Sequence, residues 1–410
     1  MQFADIKFTQ AIHGFQAGRI TTFKCPGHRE VRIPVRREAF QCPECGSGGV
    51  AAYPERVRRV MGVPVGRCRC ALLATVHRLR CAECGFRGYE RLPFLSSPAA
   101  RVTRQLERTV VGLRSEMSIT AVAKFYGLDW KTVKDIEKGA LGRKYARVRL
   151  KDVRRIAVDE IYAFPRAEAH MKYVTVVRDL DTGAVLEVAR GKGADALSAF
   201  ARRIRRFSRN VTHACMDMSN AYAAWVHRHL PNAEVVYDHF HVVKSMNDRL
   251  DKVRRRVTRG MDEATRASIK GQRFLFLRNA EALDAEGRAS LESARAVCRE
   301  LSDAYMLKER LRSIYALARD ELDARLQLDE WCAMADRCGV EEMAAMAKTV
   351  RRHLHGILAY WGSGRATSAS QEGFNNKIRW LVSQAYGFRD YEYFRLKIFD
   401  LPSTNIRKAL

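Results

Sequence analysis

The runs Arg154-Arg-Ile-Ala-Val-Asp-Glu-Ile-Tyr-Ala-Phe164, Lys172-Tyr-Val-Thr-Val-Val-Arg-Asp-Leu-Asp-Thr-Gly183 and Ala184-Val-Leu-Glu-Val-Ala-Arg-Gly191 decide the fold class. Each is rich in β-branched residues and bounded by turn formers, which predicts three strands joined by turns. Past them come a helical stretch near Ala194–Phe207, the strand Val211-Thr-His-Ala-Cys-Met-Asp217, a helix from Ser219 and the strand Ala233-Glu-Val-Val-Tyr-Asp238. Hairpin-linked strands pair antiparallel, whereas strands joined through a helix pair parallel. The expected sheet is therefore mixed. From His239 to about Tyr360 the pattern is helical, with few glycines and no proline, and Ser368 to Leu401 returns to amphipathic helix.

This order is how a ribonuclease-H-like core would read, although periodicity alone fits other α/β domains equally. Upstream, residues 101–142 read as three short helices. The first hundred residues are turn-rich, with short strand-like runs and CxxC punctuation.

Two acids fall where strands end. Asp159 follows Ile156-Ala-Val158, and Asp217 follows Val211–Met216. If these strands are neighbours, the carboxylates converge at one sheet edge and repel each other unless cations lie between them. Hard oxygen ligands suit Mg²⁺ or Mn²⁺. Two such ions about 3.5–4 Å apart activate an attacking hydroxyl and stabilise a leaving oxygen. Glu372 is a third candidate ligand, in the first turn of the helix Gln371-Glu-Gly-Phe-Asn-Asn-Lys-Ile-Arg-Trp-Leu381, which Ser368 or Ser370 would cap. Phe374, Ile378, Leu381 and Ala385 form its expected buried stripe. Each acid also has a plainer reading: aspartates sit in turns at strand ends, and glutamates at helix N-termini favour the dipole.

Seven of the eleven cysteines precede residue 85. In a chain expected to be cytosolic, that crowding points to metal rather than disulfides. Cys42-Pro-Glu-Cys45-Gly and Cys81-Ala-Glu-Cys84-Gly form two knuckles that together complete a tetrahedral Zn²⁺ site. Four thiolates leave no open position for water, so this zinc would be structural. Cys25, His28, Cys68 and Cys70 are a weaker set for a second zinc. Downstream, Ser118 to Lys138 contains a helix, a turn around Gly127 and a second helix, with Ser118 and Asp129 as caps. Ile119, Val122, Ala123, Leu128, Val133 and Ile136 form its apolar seam. Trp130, Lys131, Thr132 and Lys134 then lie at the exposed start of a recognition helix, in a helix-turn-helix arrangement.

Lys and Arg number 73 against 46 acids, a net charge of +27. Such an excess implies a polyanionic partner, most commonly nucleic acid. It clusters: nine arginines and two acids lie between Arg56 and Arg91, beginning with Arg56, Arg58 and Arg59. A second basic run, Arg249 to Arg259, contains Arg254 and Arg255. No run of eighteen apolar residues is present, and Met1–Gln10 lacks the layout of a secretion signal, so the expected location is the cytoplasm.

From Cys42 to Phe399 the chain resembles the ISL-three family of bacterial insertion-sequence DDE transposases. The stretches that carry the likeness are CPECG, RLRCAECG, IAVDEIYAF, YVTVVRDLDTGAVLEVARG, CMDMSNAYAAWV, VVYDHFHVVKSMNDRLDKVRR, EGFNNKIRWL and AYGFRDYEYFRLKIF. The resemblance implies an α/β ribonuclease-H-like catalytic core with a large all-helical insertion, preceded by a zinc ribbon and a helix-turn-helix domain. The expected limits are 1–98 for the ribbon, 99–148 for the helix-turn-helix, 149–240 and 363–410 for the two parts of the core, and 241–362 for the insertion. It places the catalytic, Mg²⁺-binding acids on Asp159, Asp217 and Glu372. Asp238-His-Phe-His241 resembles an Asp-x-x-His signature of related transposases, which adds His241 as a group orienting the scissile phosphate or a catalytic acid. The implied activity is cleavage at the element's ends, followed by attack of the freed 3′-hydroxyls on target DNA. The implied partners are double-stranded DNA, both terminal inverted repeats and target, and further copies of the chain in a homodimer or larger assembly. No membrane is implied, and a DNA-bound chain would sit on the nucleoid. Two other readings stay open: a DNA-binding regulator derived from a transposase, and a structure-specific nuclease.

Overall fold

Alternation of apolar and charged residues builds the first of two units, Met1–Ala146 and Arg147–Leu410. The computed structural model describes residues 10, 12–165, 167–263, 265–266, 271–365 and 369–402. The first unit holds β1 (Phe15–Ala17), β2 (Thr21–Cys25), β3 (His28–Arg37), β4 (Val50–Val65), β5 (Cys68–Cys81) and β6 (Arg87–Tyr89) in one sheet. β4 and β5 make a long antiparallel hairpin running from Val50↔Cys81 to Val65↔Cys68, and β5 also pairs parallel with β3. The sequence reading expected short strand-like runs here. Pro54 and a cluster of arginines make β4 look like loop, but Pro54 sits where the register shifts, a position at which the missing N–H costs no ladder bond. On β5 the alternate residues Cys70, Leu72, Ala74 and Val76 are buried, against Ile33, Val35, Val60 and an edge-on Phe15–Phe94 pair.

Three helices follow, Arg104–Leu113, Ile119–Tyr126 and Trp130–Lys144. Ser118 Oγ accepts from the Ala121 amide at 3.1 Å and Asp129 Oδ1 from the Lys131 amide at 2.8 Å, so both expected caps form. Val122, Ala123 and Val133 are buried against Val102, Leu106, Val110 and Tyr126, with Ile119, Leu128 and Ile136 packed around them.

In the second unit the three turn-linked runs become β7 (Arg155–Tyr162), β8 (Tyr173–Asp179) and β9 (Val185–Arg190), and β10 (His213–Met216) and β11 (Glu234–Tyr237) follow. The sheet order is β11-β10-β7-β8-β9. β7, β8 and β9 pair antiparallel, while β10 is parallel to both β7 and β11. Helices Ser198–Ile204 and Asn220–His229 supply the crossovers, and Phe200 stacks on Trp225 at 6.0 Å. From His239 to Gly362 the described residues are almost wholly helical. The last of these helices, Leu354–Gly362, lies directly on β11: a Cβ at Gly356 would stand 2.6 Å from the Tyr237 ring, so only glycine allows that approach. Helices Ala369–Gln384 and Tyr391–Asp400 complete the unit. No helix among the described residues is long and apolar enough to cross a membrane.

Candidate active site

Register places the first two acids. Cys215 on β10 is level with Ala157 on β7, so Asp159 and Asp217, each two residues further on, lie side by side; Asp217 follows the end of β10, but Asp159 is not at the expected strand end, since β7 stays paired with β8 to Tyr162. Asp217 is held in the tight turn after β10, where the Ser219 amide donates to the Asp217 carbonyl at 2.7 Å and Ser219 caps the next helix. Burial raises the Asp159 pKa above its ordinary value, and Glu372 raises it further. Hydrogen bonds from Asn375 and the Glu160 amide, and the field of His241, pull it back. Burial likewise raises Asp217, with Asp159 and Glu160 adding to the rise and His241 and Lys244 opposing it.

The field of His241 acts on both acids from the first turn of the helix His239–Arg259, whose cap is the buried Asp238. Lys244, three residues on, shares that helical face; the sequence reading passed over it. Glu160 faces the opposite side of β7, where Tyr222 Oη donates to its carboxylate at 2.5 Å and the Gly193 amide at 3.0 Å.

Glu372 lies in the first turn of Ala369–Gln384, but its carboxylate accepts from Arg379 on the same helix at 3.2 Å. The three acids are thus gathered less tightly than the cysteines. Among the described residues, only Cys42, Cys45, Cys81 and Cys84 bring three or more ligand atoms within 4.8 Å of one another. The expected buried stripe of the Glu372 helix also differs. Phe374 and Ile378 are buried, Leu381 is half-buried, and Ala385 lies beyond the helix end and is exposed. Gln371 and Asn375 share the inner face instead, and Asn375 Nδ2 donates to Asp159 Oδ2. Ser368, a candidate cap, lies outside the described residues, as does the side chain of Ser370.

The four knuckle cysteines meet at the open end of the β4–β5 hairpin, Cys42 and Cys45 before β4, Cys81 and Cys84 at the end of β5. Cys42 and Cys84 Sγ atoms are 3.5 Å apart, and those of Cys45 and Cys81 3.6 Å. These separations are far beyond a disulfide bond of about 2.05 Å. They match the edge of a tetrahedron with Zn–S bonds of about 2.3 Å, roughly 3.8 Å. Gly46 and Gly85, with φ of 76° and 72°, make the left-handed turn after each pair. Donation from the Cys45 amide brings Cys42 down to about 7. Cys45 is pushed up to about 12: the Ser47 amide lowers it, but Cys84, burial, Cys42 and Cys81 outweigh that. Cys25, His28, Cys68 and Cys70 are not brought together in this way.

The remaining predicted site residues divide by what they touch. Trp130 and Lys131 are exposed at the start of the helix Trp130–Lys144, and Thr132 and Lys134 are half-buried beside them. The Lys134 ammonium lies 5.9 Å from the Trp130 ring centroid. Arg56 is exposed on β4. Arg58 instead donates to the Pro98 and Ala100 carbonyls at 2.6 and 2.7 Å, and Arg59 pairs with Glu30. Arg254 is mostly buried against Asp251 at 2.7 Å, and Arg255 pairs with the same carboxylate at 3.2 Å while staying half exposed.

Comparison with known proteins gives consistent matches. A family model described as a transposase matches residues 156–398. The transposase for insertion sequence element IS1001 of Bordetella parapertussis is 31% identical over 402 residues, 96% of this chain and 97% of that protein. The transposase for insertion sequence element IS1557 of Mycobacterium tuberculosis is 30% identical over 312 residues, 70% of this chain and 69% of that one. Among solved structures, the Drosophila P element transposase strand transfer complex aligns with a TM-score of 0.39 at 10% identity, covering 74% of this chain and 91% of that one.

Proposed function

The chain belongs to the ISL-three family of transposases, and from that premise we propose that it cuts DNA at the terminal inverted repeats of an insertion sequence and joins the ends to target DNA. The observation that carries this reading is the placement of Asp159 on β7 beside Asp217 at the end of the parallel β10, both with pKa values raised first by burial, and with Asp159 raising Asp217 further.

Two desolvated carboxylates in mutual repulsion, with a third acid at hand, fit a hard divalent cation as counter-charge. Asp159, Asp217 and Glu372 would hold it. When bound, Mg²⁺ or Mn²⁺ supplies Lewis-acid activation of the attacking oxygen and stabilisation of the leaving one. The chain's own residues set up the rest. Glu372 has to leave Arg379, and with side chains 37% and 54% exposed that pair contributes at most about 1 kcal/mol. The exchange is therefore cheap. Lys244 brings positive charge to the same place and His241 a ring nitrogen, and these would orient a phosphate.

What supports a ribonuclease-H-like core is the order of three antiparallel strands flanked by two parallel ones, β9-β8-β7-β10-β11. We assign residues 149–240 and 363–410 to that core, 241–362 to an all-helical insertion, 1–98 to a zinc ribbon and 99–148 to a helix-turn-helix. The four-cysteine cluster would hold a structural Zn²⁺. The helix beginning at Trp130 would enter the major groove, with Arg56 on the neighbouring β4 contacting backbone phosphates. Two element ends must meet, so a homodimer or larger assembly is the working form.

Lys131→Ala weakens binding to duplex DNA across sequences and lowers the slope of log affinity against log salt by about one. Fluorescence anisotropy over a salt series measures it, and an unchanged slope removes Lys131 from the interface. The function itself is tested by incubating the chain with DNA carrying both element ends, a target plasmid and Mg²⁺. Joined products are the expected result. Binding without cutting would make the chain a regulator, and cutting without joining a nuclease.

A further inference from the structure

We propose that Arg178, Gln371 and Asn375 form a one-way hydrogen-bond relay that fixes the Asp159 carboxylate and ties it to the helix bearing Glu372. The proposal rests on reading these two acids as metal ligands. Arg178 interrupts the apolar run of β8. It is buried, its guanidinium lies 4.2 Å from the Phe374 ring centroid, and two of its nitrogens donate to the Gly183 carbonyl at 3.3 and 3.1 Å. A third nitrogen reaches Gln371 Oε1 at 3.4 Å. Gln371 Nε2 continues to Asn375 Oδ1 at 3.3 Å, and Asn375 Nδ2 ends on Asp159 Oδ2. Gln371 and Asn375 are 0% and 2% exposed, so water does not substitute for either partner.

Chemistry sets the direction. A guanidinium only donates and an ionised carboxylate only accepts. With those two ends fixed, each amide between them has one orientation: oxygen toward Arg178, nitrogen toward Asp159. Neither amide can flip without setting donor against donor or acceptor against acceptor. The other Asp159 oxygen accepts from the Glu160 amide at 2.8 Å, so both oxygens are clamped while each keeps a lone pair for a cation. Gln371 adjoins Glu372 and Asn375 is one turn further on. The same contacts that orient Asp159 therefore set the register of the Glu372 helix against the sheet. Arg178, Gln371 and Asn375 are positioning residues: none needs to touch DNA or metal.

Gln371→Glu is the sharpest test. It keeps size and the acceptor facing Arg178 but, once ionised, has no proton to give Asn375. Binding of Mn²⁺ alone to the full chain is measured by the electron paramagnetic resonance of free Mn²⁺, beside the melting temperature of each variant. Asn375→Ala and Gln371→Glu are expected to weaken Mn²⁺ binding roughly 10–100-fold, with melting close to the wild type. Raising Mn²⁺ then restores end cleavage. Asp159→Asn is the reference. If it weakens Mn²⁺ binding while the two relay variants bind like the wild type, the relay is overturned and the metal-ligand reading stands. If Asp159→Asn itself binds like the wild type, the metal-ligand reading fails and the relay with it. Weakened binding that appears only alongside lost melting transitions in both relay variants would show a merely structural role and also overturn the proposal.

Discussion

Asp217→Asn abolishes DNA cleavage and joining while raising the melting temperature of the metal-free protein. The loss follows from the proposed role: a ligand that helps hold a cation contributes several kcal/mol to charge stabilisation in the transition state. At about 1.36 kcal/mol per tenfold, that is a fall of roughly a thousandfold or more. The gain follows from electrostatics. Burial raises Asp217 above its ordinary value of 3.8, and Asp159 and Glu160 raise it further, so the ionised carboxylate works against the fold. Between its unfolded and its higher folded pKa the native state holds more protons than the unfolded chain. Stability therefore falls as pH rises through that window, and is regained as pH falls back through it. An amide removes the charge at every pH. In metal-free buffer the wild type should melt lower at pH 7 than the variant, with the gap closing in mild acid. Product yield on end DNA and thermal melts at two pH values measure both effects. Full activity in the variant would sink the catalytic assignment, and a variant that melts lower than the wild type at pH 7 would sink the electrostatic one.

How far this site could be read from the sequence differs from residue to residue. Both acids stand after apolar runs, which marks a strand end correctly for Asp217, whereas β7 runs on past Asp159 to Tyr162 because Ile161 and Tyr162 still pair with β8. That the two strands are neighbours is a matter of register, Cys215 against Ala157, which no local pattern encodes. The Glu372 helix was legible as amphipathic, and Phe374 and Ile378 are buried as expected, but the rest of its inner face was not legible. Two of its buried positions are amides, Gln371 and Asn375, which periodicity counts as surface and which are buried because each is hydrogen-bonded there. Arg178 shows the same blindness, since an arginine near a strand end reads as a turn flank until Phe374 and Gln371 close over it. The long β4–β5 hairpin was hidden because a proline and four charged residues occupy the middle of β4. Arg254, expected from its basic run to contact DNA, is instead mostly buried against Asp251, a partner three residues before it on the same helical face.

If the cysteine cluster holds the proposed zinc, removing it should disable the first unit and leave the second folded. The cysteine knuckles close the far end of the β4–β5 hairpin, with Cys42 and Cys81 buried and the thiols too close to tolerate several negative charges without a cation. Structural Zn²⁺ contributes on the order of 10–16 kcal/mol in small domains at neutral pH, comparable to the whole stability of such a unit. Met61 and Val63 near the other end of β4 pack on the core of the three helices that follow, and Met61 bridges to Val102. Fraying of the hairpin therefore loosens the helix that starts at Trp130. Purified protein should carry one zinc per chain. Cys81→Ser or a strong chelator should release it and drop DNA binding to the non-specific level, a loss within the roughly 10³–10⁷-fold margin of specific recognition. Residues 147–410 include none of the four cysteines, so a thermal melt should lose only the transition of the first unit. Metal analysis, anisotropy and differential scanning calorimetry measure the three effects. Zinc-free protein that still binds its DNA at full affinity would make the knuckles dispensable and return the reading of the element's ends to the basic strand surface around Arg56.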